Sequence, residues 1–496
     1  MSLTVSLLIG TAVLLLAIFA VKASTYLGLP SLLIYLGFGV LLGSSGFGID
    51  FSDVELAQQL GTIALAVILA EGGLTTNWAS VRPHLALGIA LSTVAVVVSV
   101  GVMAAFMILV LGMPWQLAVV TGAIISSTDA AAVFSVLRSL GLPRRITSAL
   151  ELESGLNDAP VILLVMFLSV PMDQIQPWWQ IALTIAFELA VGTVLGVLVG
   201  YAAVWLLRRG ALPSSGLYPL LAMGFLLLSY TLATVAHASG FLAAYAAGVV
   251  LGNANLPYKR AVVGFAEGLA WLAQIGLFVM LGLLVFPEQI PEVIVPAVLI
   301  GLVLLFVARP LSVMIAASPL RVPLRAQLFF SWAGLRGAVP IVLATIPIAN
   351  GLDGGWAVLH LVFVLVVIFT LVQGTTLPAV ARALGLAGRE TTRDLEVEVA
   401  VLDEMAADLM TVDVADDSKL HGVYVADLRL PDPSAVSLVV RDGAAFVPSP
   451  QTRIRAGDQL LIVATSEVRE AAQARLRAVA RSGRLAQWRG DRGDEQ

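Results

Sequence analysis

The chain has 496 residues, of which 59% are hydrophobic and 12% charged, with a net charge of −5. An average soluble domain carries about 25% charged residues, so this composition excludes a soluble globular protein and indicates a polytopic membrane protein. Cysteine is absent, which excludes disulfides and thiolate metal sites.

Taking about 20 apolar residues per crossing, the sequence predicts thirteen membrane helices, near 3–21, 31–47, 57–75, 84–111, 115–138, 145–170, 178–207, 215–237, 241–253, 260–285, 290–317, 325–349 and 356–384. The first run lacks a basic leader region and a good cleavage site, and is read as a helix rather than a signal peptide. The second and ninth are short and glycine-rich. Lys22, Arg82, Arg138/Arg144/Arg145, Arg208/Arg209, Lys259/Arg260, Arg321/Arg325 and Arg382 fall at every other connection. The intervening loops, such as "GIDFSDVE" and "FPEQIPE", contain no Lys or Arg. By the positive-inside rule the basic set is cytoplasmic, the N-terminus outside and the C-terminal region inside.

Composition shifts near residue 385, giving a membrane domain over 1–385 and a polar linker over 386–393. Residues 394–478 read as a small α+β domain. Its expected strands are "SKLHGVYVADLRL", "AVSLVVRDG", "AAFVPSP" and "GDQLLIVAT", followed by an amphipathic helix "SEVREAAQARLRAVA". Residues 479–496 carry too little apolar content to pack and are expected to be disordered.

Charges inside the apolar segments point to function, because each costs free energy unless paired or solvated. They are Glu71 in the third segment, Asp129 after Thr128 in the fifth, the stretch "ELESGLNDAP" (151–160) in the sixth, and Arg336 in the twelfth. Ser154 and Asp158 are four apart and share one helix face. Their hydroxyl and carboxylate are hard oxygen ligands suited to an alkali cation. Glu153 and Asn157 lie about 100° round the helix, where a carboxylate and an amide suit a structural network. Glu153 is expected to pair with Arg336. Glu151, nearer the cytoplasmic end, is read as a funnel or interface residue. Glu188, Glu267 and His237 are left outside the core site. The fifth and twelfth segments both look interrupted, by "SSTD" and by "GLRGAVP". Seven segments separate them, an odd offset that would invert one half across the membrane. Paired broken helices in inverted halves are a transporter signature. Asp129 would neutralise exposed helix N-termini and Arg336 exposed C-termini.

With "STDAAAVFS", "ESGLND" and "GLRGAVPIVLA" in this order, residues 5–385 resemble the cation:proton antiporter-1 family, in its NhaP-type branch. The resemblance implies a sodium/proton antiporter-like fold and a homodimer. It implies that Asp158 binds cation or proton, with Ser154, Thr128 and Glu71 as further ion-site residues. It casts Asp129, Asn157, Glu153 and Arg336 as the structural core. Asn157 before Asp158 resembles the electroneutral branch. Ala130 stands where many relatives have Pro, a variant resembling the potassium/proton sub-branch, whereas Ala159 followed by Pro160 departs from the family pattern. The soluble segment resembles an RCK C-terminal (TrkA-C) domain. Such domains bind small regulators, including cyclic dinucleotides, and no residue here selects one.

The expectation is therefore electroneutral exchange of K⁺ for H⁺ across the cell membrane, with no enzymatic activity, no resident cofactor and no nucleic-acid partner. Sodium/proton exchange shares every membrane motif. A channel gated by the soluble domain lacks a filter-like run, a primary pump lacks a phosphate loop, and a non-transporting sensor fits poorly with the intact Ser154, Asn157 and Asp158.

Overall fold

A computed structural model describes residues 3–27, 31–43, 46–49, 51, 53–128, 142–210, 212–386, 397–402, 407–415, 418–441, 443–465 and 467–483. It forms two compact units, 1–388 and 389–496, so the first extends slightly past the expected boundary at 385.

In the first unit every one of the thirteen expected segments carries helix. The helices are α1 (Leu3–Leu27), α2 (Ser31–Leu42), α3 (Val54–Thr75), α4 (Trp78–Leu109), α5 (Trp115–Ile124), α6 (Arg144–Leu168), α7 (Trp178–Arg209), α8 (Leu217–Val235), α9 (Gly240–Gly252), α10 (Lys259–Leu283), α11 (Pro287–Ala317), α12 (Leu324–Trp332), α13 (Ala338–Ala349) and α14 (Gly355–Ala383). Among the described residues, α3, α4, α7, α8, α10, α11 and α14 are long and apolar enough to cross a membrane; α2, α5, α9 and α13 are shorter apolar helices. Helices suit these sequences because lipid offers no partner to a free backbone group.

Two internal resemblances relate elements seven helices apart. Glycines Gly39 and Gly282 press the backbones of α2 and α10 together, Gly39 against Val279 O and Gly282 against Leu36 O. Gly73, Gly248 and Gly252 do the same for α3 and α9. A shift of seven turns one seam into the other, since α2 maps to α9 and α3 to α10. Small residues permit such close approach where lipid supplies no hydrophobic drive for association. The second resemblance is a π-helical turn at Leu91–Ala95 in α4 and another at Leu304–Ala308 in α11. An odd shift reverses direction through the membrane, and this is the arrangement of inverted repeats.

Regular helix stops at both expected breaks. Beyond α5, Ile125 and Ser126 form a turn, and Ser127 and Thr128 are non-helical. Asp129 and the rest of that segment, 129–141, lie outside the described residues. Between α12 and α13, residues 333–337 are unwound. Pro340 follows at the third position of α13, where a missing N–H costs no intrahelical bond. α5 packs on α13 and α14, so the two breaks meet in the middle of the bundle.

The second unit is a five-stranded antiparallel sheet in the order β1-β2-β5-β3-β4. Its strands are β1 (Val397–Leu402), β2 (Ala407–Asp413), β3 (Ser434–Arg441), β4 (Ala444–Phe446) and β5 (Gln459–Thr465). One helix, α15 (Arg469–Ser482), buries Ala472, Leu476 and Val479 in a core with Met410, Val412, Leu460 and Ile462. Arg441 clamps the buried Asp458 with Nε to Oδ1 at 2.7 Å and Nη2 to Oδ2 at 2.8 Å.

Three expectations for this unit change. β1 and β2 come from residues not read as strands. Residues 418–430 are not a strand: they turn at His421–Gly422, make a single bridge between Tyr424 and Arg453, and close a 3₁₀ turn at Val425–Leu428. The domain also runs past 478, because Val479 is fully buried and α15 continues to Ser482. Most of the expected linker, 387–393, and of the expected tail, 484–496, lies outside the described residues.

Candidate functional site

α6 carries the site because its polar residues point inward. Glu153, Ser154, Asn157 and Asp158 are all buried, at 1%, 5%, 0% and 3% exposure. A carboxylate this deep needs hydrogen-bond donors or a charge, and the two carboxylates find different ones.

Asp158 accepts a hydrogen bond at Oδ1 from Ser127 Oγ at 2.6 Å. Ser127 comes from the unwound end of the fifth segment. Its neighbour Thr128 accepts from Asn157 Nδ2 at 2.7 Å, and its Oγ1 lies 3.2 Å from Ser154 Oγ. Asn157 thus ties the unwound chain to α6, and Ser127, Thr128, Ser154 and Asp158 form one cluster of oxygens. Arg336 reaches the same place from the other break. Its Nη1 donates to Ser127 O at 2.8 Å and Ser126 O at 3.3 Å. These carbonyls lie just past the C-terminal end of α5, where a cation is favourable.

Glu153 is not hydrogen bonded to Arg336, contrary to the sequence expectation. Its partner is Arg309 of α11, whose Nη2 donates to Glu153 Oε1. Two features explain the exchange of partners. Arg336 is occupied by backbone carbonyls. Arg309 follows directly on the π-helical turn of α11 and lies over the unwound chain at Gly334, where a Cβ would sit 2.8 Å from its Nε. The matching turn in α4 contributes Ser92, whose Oγ is 3.2 Å from Glu153 O. Extra-wide turns of this kind recur at functional sites. Sequence reasoning passed over Arg309 and Ser127. The signal for Arg309 was available, since it is the sole basic residue between Pro287 and Ala317.

The remaining candidates sort by position. Glu71 is half-buried on α3, which packs against both α6 and α13. Asp129 lies outside the described residues. Glu151 is half-buried, two turns along α6 from Asp158. Glu188 is half-buried, and Glu267 and His237 are exposed.

Two broken segments meeting at a buried carboxylate that accepts from a hydroxyl of one of them are the arrangement of a secondary ion transporter. Comparison with known proteins gives the same class. The family model for the sodium/hydrogen exchanger, transmembrane, matches residues 11–383, and that for the TrkA-C domain matches 409–477. The chain belongs to the transmembrane sodium/hydrogen exchanger family. It is 34% identical over 471 residues to the K(+)/H(+) antiporter NhaP of Alkalimonas amylolytica, covering 93% of this chain and 81% of that protein. It is 33% identical to the K(+)/H(+) antiporter NhaP2 of Shewanella baltica, covering 94% and 81%. The Na(+)/H(+) antiporter ApNhaP of Aphanothece halophytica is 26% identical over 75% of both chains. In fold, the chain is similar to the sodium proton antiporter MjNhaP1 of Methanocaldococcus jannaschii, with a TM-score of 0.67, 21% identity, and coverage of 78% of this chain and 100% of that one.

Proposed function

We propose that this multi-pass membrane protein exchanges K⁺ for H⁺, one for one, at Asp158. The observation that carries the reading is the division of labour on α6. Glu153 is ion-paired with Arg309, whereas Asp158 accepts from the hydroxyl of Ser127 on the unwound chain. A carboxylate can take up either a proton or a cation, and a bound cation favours its charged form. A single carboxylate that holds one positive charge of either kind moves no net charge per cycle. Ser127, Ser154, Thr128 and Glu71 are the groups that would surround the ion, and Arg336 and Asn157 hold the two breaks in register. Access alternates when one helical bundle moves against the other around this central site.

Potassium is preferred over sodium because the relatives at 33–34% identity over nearly the whole chain are K(+)/H(+) antiporters by name, while the sodium-named one is more distant. Ala130, in place of Pro, leans the same way. The N-terminus is placed outside and the TrkA-C domain in the cytoplasm by the distribution of Lys and Arg. The working unit is taken as a homodimer. A small regulator of the TrkA-C domain, such as a cyclic dinucleotide, acts only if it binds one conformation more tightly than the other. The test is reconstitution with an imposed pH gradient. Addition of K⁺ should move protons, and Asp158→Ala should abolish the response. Movement with Na⁺ alone would refute the potassium assignment.

A further inference from the structure

We propose that Tyr245 is a positioning residue for the exchange, its ring standing between Glu151 and Asp158 and closing the passage of ions from one to the other; this rests on the proposed exchange at Asp158. Glu151, Ser154, Gly155 and Asp158 stand at i, i+3, i+4 and i+7 and form one stripe along α6. Gly155 is about 6 Å along the axis from Glu151 and about 4.5 Å from Asp158, at 1.5 Å per residue. The end of the Tyr245 ring lies in that interval. A Cβ on Gly155 would meet Tyr245 Cε2 at 2.7 Å, Cζ at 2.8 Å and the hydroxyl at 3.0 Å. No side chain other than glycine leaves room for the ring there.

The seat is built from three helices. Tyr245 OH is 3.3 Å from Thr76 Oγ1, at the C-terminal end of α3. Thr76 Oγ1 donates to Gly72 O at 2.7 Å, which leaves its oxygen to accept from the Tyr245 hydroxyl and fixes the anchor on α3. On its apolar side the ring packs with Ala159 and Leu242, against Leu156, Leu189 and Val249. This collar excludes water on the Glu151 side of Asp158. The backbone at Tyr245 is fixed, because its carbonyl is pressed against Gly73 of α3. The movable part is therefore the ring. A rotation of the side chain would join the half-buried Glu151 to the buried Asp158 without displacing α9.

The chain contains no cysteine, so a single introduced thiol reports access without background. Ala159→Cys places it next to Asp158, at a position 2% exposed. A small charged methanethiosulfonate is applied from each side of reconstituted membranes, and labelling rates are compared. Tyr245→Ala should raise the rate at least about tenfold from the Glu151 side and leave the opposite side unchanged. Tyr245→Phe keeps the ring and should label slowly. Gly155→Ala, which pushes the ring off its seat, should raise the rate on the same side. Unchanged labelling in both Tyr245→Ala and Gly155→Ala, or an equal rise from both sides, would overturn the assignment. Labelling does not require transport, so this result stands apart from the choice of K⁺ or the role of Asp158.

Discussion

Glu153 and Asp158 are two carboxylates on one helix, both almost fully buried, and the protein treats them differently. Glu153 is met by the guanidinium of Arg309, which is stationed by a π-helical turn. Asp158 is met by the hydroxyl of Ser127, on chain that has left the helix. An ion pair is a fixed arrangement, costly to break once desolvated. A hydroxyl can donate to a carboxylate or turn its oxygen toward a cation. The first carboxylate is suited to holding architecture and the second to changing its charge state.

The comparison can be broken most severely at the fixed pair. Arg309→Met removes the guanidinium bonded to Glu153 and should destabilise the protein by about 3–5 kcal/mol. The double variant Arg309→Met with Glu153→Leu should recover much of that loss, because a buried pair can often be replaced by apolar groups of similar size. Thermal unfolding in detergent measures both. A smaller effect of another kind is expected at Ser127. Ser127→Ala removes a hydrogen bond to the Asp158 carboxyl, a contribution of about 1.5–3 kcal/mol when that group is charged. Because that group is the proposed ion site, the loss should appear as an apparent K⁺ affinity weakened about tenfold or more, with thermal stability little changed. If Ser127→Ala proved as destabilising as Arg309→Met, the two carboxylates would not differ in role.

The same contrast extends to the second unit, where Asp458 is buried and clamped like Glu153. Burial alone would raise the Asp458 pKa, but hydrogen bonds from Arg441 and the Arg455 N–H outweigh it, and the net shift is downward. A carboxyl with a depressed folded-state pKa contributes stability above its ordinary value, which is lost as pH falls through the folded pKa. Protection of β3 and β5 from hydrogen exchange in the full chain should therefore weaken with acidification below about pH 4. Arg441→Ala should remove that acid dependence and lower protection at neutral pH. An unaltered pH profile in Arg441→Ala would contradict the clamp.

Much of this was legible in the sequence because membrane helices obey a strong constraint. Continuous apolar runs with alternating basic loops located the helical segments, and glycine, proline and hydroxyl clusters located both breaks. Ser154 and Asp158 could be placed on one face by spacing alone. Partners were not legible. Glu153 was assigned to Arg336, yet a π-helical turn in α11, which the sequence does not mark, carries Arg309, the sole basic residue of that helix, to the pair. Likewise Tyr245 reads as one more aromatic residue until Gly155 is seen to receive its ring. In the second unit β1 and β2 were missed. "ADLMTVD" carries acidic, Ala, Leu and Met residues that favour helix at least as well as strand, and pairing with β5 fixes β2, whereas "VEVAVL" alternates Val as a strand does and was legible.

The central claim is that cation and proton compete for Asp158. The most direct measurement is the apparent affinity for K⁺ in proteoliposomes as a function of pH. The account predicts that on the acid limb each tenfold rise in proton concentration raises the apparent K⁺ constant about tenfold, with maximal velocity unchanged, as for one proton displaced by one cation. It also predicts that Asp158→Asn abolishes exchange. An apparent K⁺ affinity independent of pH, or exchange retained in Asp158→Asn, would contradict it.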